Sequence, residues 1–228
     1  QHLNRLGYKS TIDYLESMAD LVFKETGLLP HLNPGNMTIL EMEKLREVSV
    51  SMGVMLESSS KRLCEKGGAH YGSPDKSPEV RLQTLSNAGK LRIPITTGIL
   101  IGIGETKEER VQSLLDIKRL DDEYGHIQEV IIQNFIPKKN TRMKNHSAAS
   151  KDDLLWTLSV ARIILGKEMN IQCPPNLNAG YLDQILNSGI NDWGGISPVT
   201  IDHVNPESPW PQIKMLEKIT NDQGMDLI

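Results

Sequence analysis

Apolar positions change period repeatedly along the chain. Ile12, Leu15, Ala19 and Val22 recur at helical spacing, and Ser10 followed by Asp13 offers a cap, so a helix is predicted to about Thr26. Strand-like GLLPHLN comes next, and Thr38 with Glu41 has the spacing of a capping box for a helix through about Val48. MGVMLE, residues 52–57, is a short apolar strand that ends on a carboxylate. Ser77 and Pro78 open a helix that closes at Gly89, and IPITTGILI, residues 93–101, is the next strand. Thr106 and Glu109 open a helix to Gly125, followed by the strand VIIQNF and a polar loop from Pro137 to Ala149. Ser150 and Asp153 cap a helix through about Glu168, and NIQ with CPPNL completes a last strand and turn. Strand and helix alternate strictly, which predicts an α/β fold with a parallel sheet and helices outside it. Residues 1–211 form one core in this reading, and 212–228 a tail or helix.

An open doubly wound sheet and a barrel both fit the alternation. Asn33, Glu57, Glu105, Asn134 and Asn176 each fall at or just after the C-terminal end of a predicted strand. Active sites of α/β barrels and open α/β sheets are built on that face. Asn, Pro and Gly also belong in turns for purely conformational reasons, so single positions carry little weight.

Composition narrows the partners. The 228 residues are 38% hydrophobic and 24% charged with a net charge of -4, an ordinary globular balance without the basic excess of a nucleic-acid binder. No apolar run approaches the roughly 18 residues of a membrane span, and no secretory signal layout opens the chain. A cytoplasmic protein acting on a small molecule is expected, without nucleic-acid or membrane partners. Cys64 and Cys173 are lone and far apart, which supports neither a disulfide framework nor a metal knuckle.

Three stretches carry candidate chemistry. TTGILIGIGETKEER, residues 96–110, has Gly102 and Gly104 as G-x-G, but Lys107 occupies the place of a third glycine and no Gly-Lys-Ser/Thr ending follows, so both phosphate-loop fingerprints fail. What remains, Gly98 to Glu105, either lets a flat ligand approach the backbone or relieves a bend at a barrel corner. In MLESSS a strand-end carboxylate, Glu57, precedes three hydroxyls including Ser59; it could accept ribose hydroxyls or simply be solvated. AHYGSPDKSPEVR holds His70, Tyr71 and Asp75 as catalytic candidates and sets Arg81 in the first turn of a helix, where it opposes the dipole and calls for an anionic partner, a ligand carboxylate or Asp75 or Glu79. The long irregular segment from Ile190 to Pro211 reads as a lid, with Asn191 and Asp192 as hydrogen-bonding groups and Trp193 either stacking on a ligand ring or plugging the core. His31 and His203 lack metal-ligand spacing and read as satisfied loop histidines unless a substrate recruits them.

Together, LLPHLNPG, MGVMLESSS, AHYGSPDKSPEVRLQTL, TTGILIGIGET, VIIQNFIPK and GINDWGGISPVTIDHVNPESPWP closely resemble the cyclising subunits of 7,8-didemethyl-8-hydroxy-5-deazariboflavin synthases, radical S-adenosylmethionine (SAM) enzymes. The resemblance runs from about Gly27 to Pro211. It implies a partial (β/α) barrel, S-adenosylmethionine and a [4Fe-4S] cluster. It also implies conversion of a hydroxybenzyl adduct of 5-amino-6-ribitylaminouracil into the deazaflavin with release of ammonia, a sister subunit supplying the adduct, and an electron donor. Carried over by motif, Glu57 and Ser59 lie at the ribose, Arg81 at the methionine carboxylate, and Gly98, Gly102 and Glu105 at the adenine, with Asn134 and Phe135 on the neighbouring strand end. Asn33, Asn176, Asn191, Asp192 and Trp193 are left for substrate.

One departure stands out: the superfamily's C-x-x-x-C-x-x-C motif is absent. With Gln1 rather than Met at the start, the expectation is an N-terminally truncated fragment that lacks its first strand-helix unit and is inactive alone. PKKNTRM and Cys173 are smaller departures from the family's usual text. Competing expectations are the sister subunit that joins tyrosine to the aminouracil, a non-redox (β/α) barrel lyase using Glu57, His70 and Asp75, and a ligand-binding relative without turnover.

Overall fold

A computed structural model describes residues 2–228. Its strands are β1 (His31–Leu32), β2 (Ser51–Gly53), β3 (Ile95–Ile101), β4 (Ile127–Asn134) and β5 (Ile171–Gln172), all parallel and in the order β1-β2-β3-β4-β5. A doubly wound sheet reverses its strand order at a switch point, whereas a barrel wall runs sequentially. The order therefore selects the barrel. The helices are α1 (His2–Arg5), α2 (Thr11–Thr26), α3 (Ile39–Arg46), α4 (Pro78–Lys90), α5 (Lys107–Tyr124), α6 (Lys151–Leu165), α7 (Leu182–Asn187) and α8 (Ile213–Asp222).

Side-chain caps place the helix starts. Ser10 and Ser150 accept from the N–H groups of Asp13 and Asp153, and Thr38 and Thr106 form complete capping boxes with Glu41 and Glu109. Gly27 and Gly125 end α2 and α5 in left-handed conformation. Helix α6 ends at Leu165 rather than at Glu168, because Gly166 (φ 85, ψ 175) turns the chain out of the helix.

Residues paired across parallel strands share a face. Met52, Ile95, Val130 and Ile132 point to the helices and meet Leu85, Leu114 and Leu158, all fully buried in one cluster. The alternate residues face away from the helices: Ser51 and Gly53 on β2, then Thr96, Glu129 and Gln172. This inner face is mixed, with Gly98, Leu100 and Ile131 between these polar groups, and parallel pairing brings every strand's C-terminal end to one edge of it. The segment after Gly189 adds a bridge between Gln172 and Asp192 beyond β5, and α8 docks through fully buried Leu216.

Candidate active site

Where β2 runs on to Glu57, the chain bridges to Ile99 of β3, with Glu57 N–H donating to Gly98 O at 3.0 Å and its own C=O accepting from Leu100 N–H at 2.9 Å. Glu57 sits there at φ +60, a left-handed conformation that costs a non-glycine residue about 1–2 kcal/mol. Four cationic or imidazole contacts crowd its carboxylate, whose side chain is 12% exposed. Lys76 Nζ donates to both oxygens at 2.8 and 2.9 Å, Arg81 Nη1 lies 3.2 Å from Oε1, and His70 Nε2 stands 3.0 Å from Oε2 without hydrogen-bond alignment. Burial opposes ionisation of Glu57, yet the contacts with His70, Lys76 and Arg81 outweigh it and hold the carboxyl at about 2. The group is a fixed anion.

Arg81 is itself held. Its Nη1 donates to Met55 O and its Nε to Asp75 O at 3.0 Å, while the Asp75 carboxylate, 67% exposed, stays 4.0 Å away. The anionic partner that its position in the first turn of α4 called for is Glu57, with the backbone oxygens of residues 55 and 75 in support. His70 is buried, and its Nδ1 has no partner. Of the groups around Glu57, Lys76 is the most exposed.

The hydroxyl run behaves otherwise than expected. Ser59 donates its N–H to Ser113 Oγ at 2.9 Å and pairs with the same oxygen through its own hydroxyl at 3.2 Å; Ser60 Oγ donates to Glu109. These serines fasten the loop to α5, so Ser59 is directed away from Glu57.

The glycine stretch divides into three parts. A Cβ on Gly98 would lie 2.1 Å from Ile131 O, so its bare backbone serves the close approach of β4, not a ligand. Gly102, at φ +87, faces Ala149, where a Cβ would come within 2.8 Å. Gly104, at φ +103, has nothing within 4 Å and lines a cleft of about 520 Å3 with Arg62, Tyr71, Arg142 and His146. Of the three, only Gly104 has empty space beside it, and its carbonyl accepts from Arg62 Nη2 at 2.8 Å. Glu105 is turned inward: its carboxylate, 2% exposed, accepts from the N–H groups of Gly102 and Ile103 at 2.7 and 2.8 Å and from Arg110 Nε at 2.7 Å. It shapes the loop rather than reaching into the cleft. Tyr71 is exposed at the cleft's rim, and Phe135 packs edge-on against His146 with ring centroids 6.0 Å apart.

The substrate candidates separate as well. Trp193 is buried, with Nε1 donating to Thr220 Oγ1 at 3.2 Å, so it packs between the sheet's end and α8 while lining, with Asn191 and Asp192, a separate cleft of about 610 Å3. Asn191 Oδ1 accepts from Ile171 N–H at 2.8 Å, which puts it at the start of β5, away from the strand tips. Asn176 donates to Asp202 Oδ2 and Ser208 O, tying down the irregular segment, and Asn134 Oδ1 accepts from Asn178. Asn33 is exposed beside Gly53, and Asp192 lies on the inner face opposite Gln172.

Lys76 and Glu129 were not among the expected site residues. Lys76 and Glu57 are far apart in sequence and meet only through the fold. Glu129 faces inward from β4, accepting from Thr96 Oγ1 at 3.1 Å, and burial, then the nearby Asp192 charge, push its carboxyl up to about 7.

The observed residues fit a nucleoside sulfonium cofactor in part: a fixed anion at a strand tip, a buried imidazole nitrogen without a partner, and empty space beside Gly104. They do not fit an iron-sulfur cluster. Half-buried Cys64 and buried Cys173 are the two thiols, and no group of three or more potential ligands forms among the described residues. No helix among them is long and apolar enough to cross a membrane.

Among solved structures, the chain matches methylornithine synthase (PylB) with a TM-score of 0.75 at 21% identity, over 96% of this chain and 64% of that one. It matches the FeFe-hydrogenase maturase HydG from Carboxydothermus hydrogenoformans with a TM-score of 0.69 at 16% identity, over 94% and 52%. The fold is thus a partial (β/α) barrel shared with these two enzymes.

Sequence relatives are more specific. The chain is 51% identical over 225 residues to the 7,8-didemethyl-8-hydroxy-5-deazariboflavin synthase of Methanopyrus kandleri, covering 99% of this chain and 67% of that protein. It is 52% identical over 228 residues to the FO synthase of Mycobacterium tuberculosis, covering 99% of this chain and 27% of that protein. This chain belongs to the 7,8-didemethyl-8-hydroxy-5-deazariboflavin synthase family. It spans about a quarter of the length of the FO synthases it matches. No protein-family model matches it.

Proposed function

We propose that the chain is the S-adenosylmethionine- and substrate-binding part of a deazaflavin-forming radical enzyme, and that it serves the cyclising step, in which the hydroxybenzyl adduct of 5-amino-6-ribitylaminouracil closes and ammonia leaves. The supporting observation is Glu57: a left-handed residue at a strand tip, fixed as an anion, beside a buried imidazole nitrogen without a partner. Strain of that kind persists where the surroundings over-determine it. In this reading the ribose hydroxyls displace Lys76 from Glu57, Arg81 keeps that carboxylate fixed and has Nη2 left for the carboxylate end of the cofactor, and Gly104 leaves room for the adenine. Bound S-adenosylmethionine supplies the hydrogen-abstracting chemistry, and the protein supplies placement and exclusion of water. The cluster's thiolates are left to a part of the synthase other than these residues. A sister subunit or domain supplies the adduct, and an external donor the electron.

An acid-base lyase built on Glu57, His70 and Asp75 is disfavoured by the same geometry. A carboxyl held at about 2 is a weak base at neutral pH, and Asp75 is largely in solvent.

The test is calorimetric titration of S-adenosylmethionine into a full-length synthase that carries this sequence. Arg81→Ala and Glu57→Gln should each weaken binding about tenfold or more, and Ser59→Ala should leave it unchanged. Unaltered affinity in both of the first two variants would remove Glu57 and Arg81 from the cofactor site. Absence of deazaflavin and 5′-deoxyadenosine from the reconstituted, unsubstituted enzyme given the adduct would refute the activity.

A further inference from the structure

At the β1 edge of the inner face stands a second polar station that the cofactor reading does not use. His31 is exposed, and its Nδ1 lies 2.7 Å from Ser51 Oγ, a contact that fixes the ring across β1 and β2. A Cβ on Gly53 would come within 2.9 Å of His31 Nε2 and 3.3 Å of Asn33 Nδ2. Gly53 is not among the residues with positive φ, so the backbone does not require glycine there. What requires it is the imidazole: the missing side chain is the space in which Nε2 lies.

The ring is prepared for proton transfer. Partial loss of solvent on the side facing the sheet lowers the His31 pKa from its ordinary 6.5, although the residue as a whole is exposed, and no charged side chain contributes to the shift. The imidazole is therefore neutral at physiological pH. With its proton on Nδ1 and donated to Ser51 Oγ, Nε2 carries a free lone pair over Gly53. Ser51 and Gly53 belong to the segment that continues to Glu57. At about 3.3 Å per residue, the histidine station lies about 13 Å from that carboxylate along the strand. By register His31 stands level with the start of β3, so a substrate held at the strand tips reaches it by extending down the same face.

We propose that His31 is a catalytic residue of this enzyme, contacting the substrate through Nε2 and moving a proton during loss of the amine. The proposal rests on the ammonia-releasing reading above. Nε2 takes a proton from the carbon next to the one that bears the amine, and the C–H electron pair becomes a carbon–carbon double bond between the two. As that C–N bond breaks, its electron pair leaves with the nitrogen, which receives the proton from the imidazolium and departs as ammonia. The histidine ends neutral, and the step needs no oxidant or reductant. Ser51 is a positioning residue that holds the tautomer, and Asn33 orients the substrate beside it.

The experiment uses the full-length synthase carrying this sequence, reconstituted anaerobically, with the unsubstituted enzyme as control. His31→Gln should lower kcat for ammonia release about 100-fold, within the usual worth of a general acid-base group, while adduct KM changes less than about threefold. Release of 5′-deoxyadenosine should continue in this variant, because cofactor cleavage does not involve His31. Gly53→Ala should lower kcat with His31 still present, and Ser51→Ala should shift the pH profile of kcat. Independently of turnover, addition of 5-amino-6-ribitylaminouracil without S-adenosylmethionine should move the His31 Nε2 resonance in a spectrum of imidazole-labelled protein. A His31→Gln enzyme with kcat within threefold of the control, or an unmoved resonance at saturating compound, overturns the proposal. Failure of the unsubstituted control to form deazaflavin instead overturns the reading on which it rests.

Discussion

Arg110 Nε lies 2.7 Å from Glu105 Oε1, with the two side chains 7% and 2% exposed, and the same carboxylate accepts the backbone N–H groups of Gly102 and Ile103. One buried pair thus sets the shape of the loop that opens beside Gly104. Arg110→Ala leaves a buried carboxylate without its charge partner, at about 3–5 kcal/mol. Chemical denaturation should register that loss, and hydrogen exchange should show reduced protection at Gly102 and Ile103. Normal protection at both amides would separate the loop from the pair.

Glu57 carries two separable energies. Its depressed carboxyl contributes stability that is complete above the ordinary value of 4.5 and disappears as pH falls toward about 2, at most about 3 kcal/mol. Glu57→Gln should flatten the acid limb of the unfolding curve between those pH values. Its left-handed backbone predicts a different ordering: Glu57→Gly should be more stable than Glu57→Ala by about 1 kcal/mol, since glycine adopts φ +60 freely. Equal stabilities would mean that the backbone relaxes at this position.

Gly98 and Gly104 should respond oppositely in kind. Gly98→Ala drives a Cβ into Ile131 O and should prevent β3 and β4 from pairing, giving insoluble or unfolded protein. Gly104→Ala meets empty space and has only its φ of +103 to overcome, so it should fold with a loss of about 1–3 kcal/mol. Expression and melting of the two variants side by side decide the point.

Glu129 gives the reverse pH signature. Its folded-state carboxyl is raised to about 7, so its contribution is present below the ordinary value of 4.5 and is lost as pH rises through about 7. The protein should lose stability from this group between about pH 5 and 8, and Glu129→Gln should remove that slope and melt higher at pH 8. A slope that survives the substitution would assign it to another group.

The architecture was legible because its signals are local. Ser10, Thr38, Thr106 and Ser150 cap helices three residues ahead, and the spacing alone reveals them. The site was legible only in part. A carboxylate at the end of MGVMLE marks Glu57, but nothing in the text reveals that Lys76 will bridge its oxygens or that Ser59 will turn to Ser113. Trp193 and Asn191 read as ligand contacts because the irregular segment has no period, whereas long-range packing against α8 and pairing to Ile171 determine both. Gly53 gave no sequence signal at all, since its reason is a neighbouring ring and not a turn.

The sequential order of the strands bears on how the chain is made. Each strand from β2 onward pairs with its immediate predecessor, so none must wait for a segment synthesised much later. Sheet growth can then keep pace with emergence from the ribosome, and the longest pairing, β3 with β4, is complete before the irregular segment appears. Residues 190–211, tied down late by Asn176 and α8, would be the last to close over a barrel wall already assembled, which makes them the part a nascent chain leaves open longest.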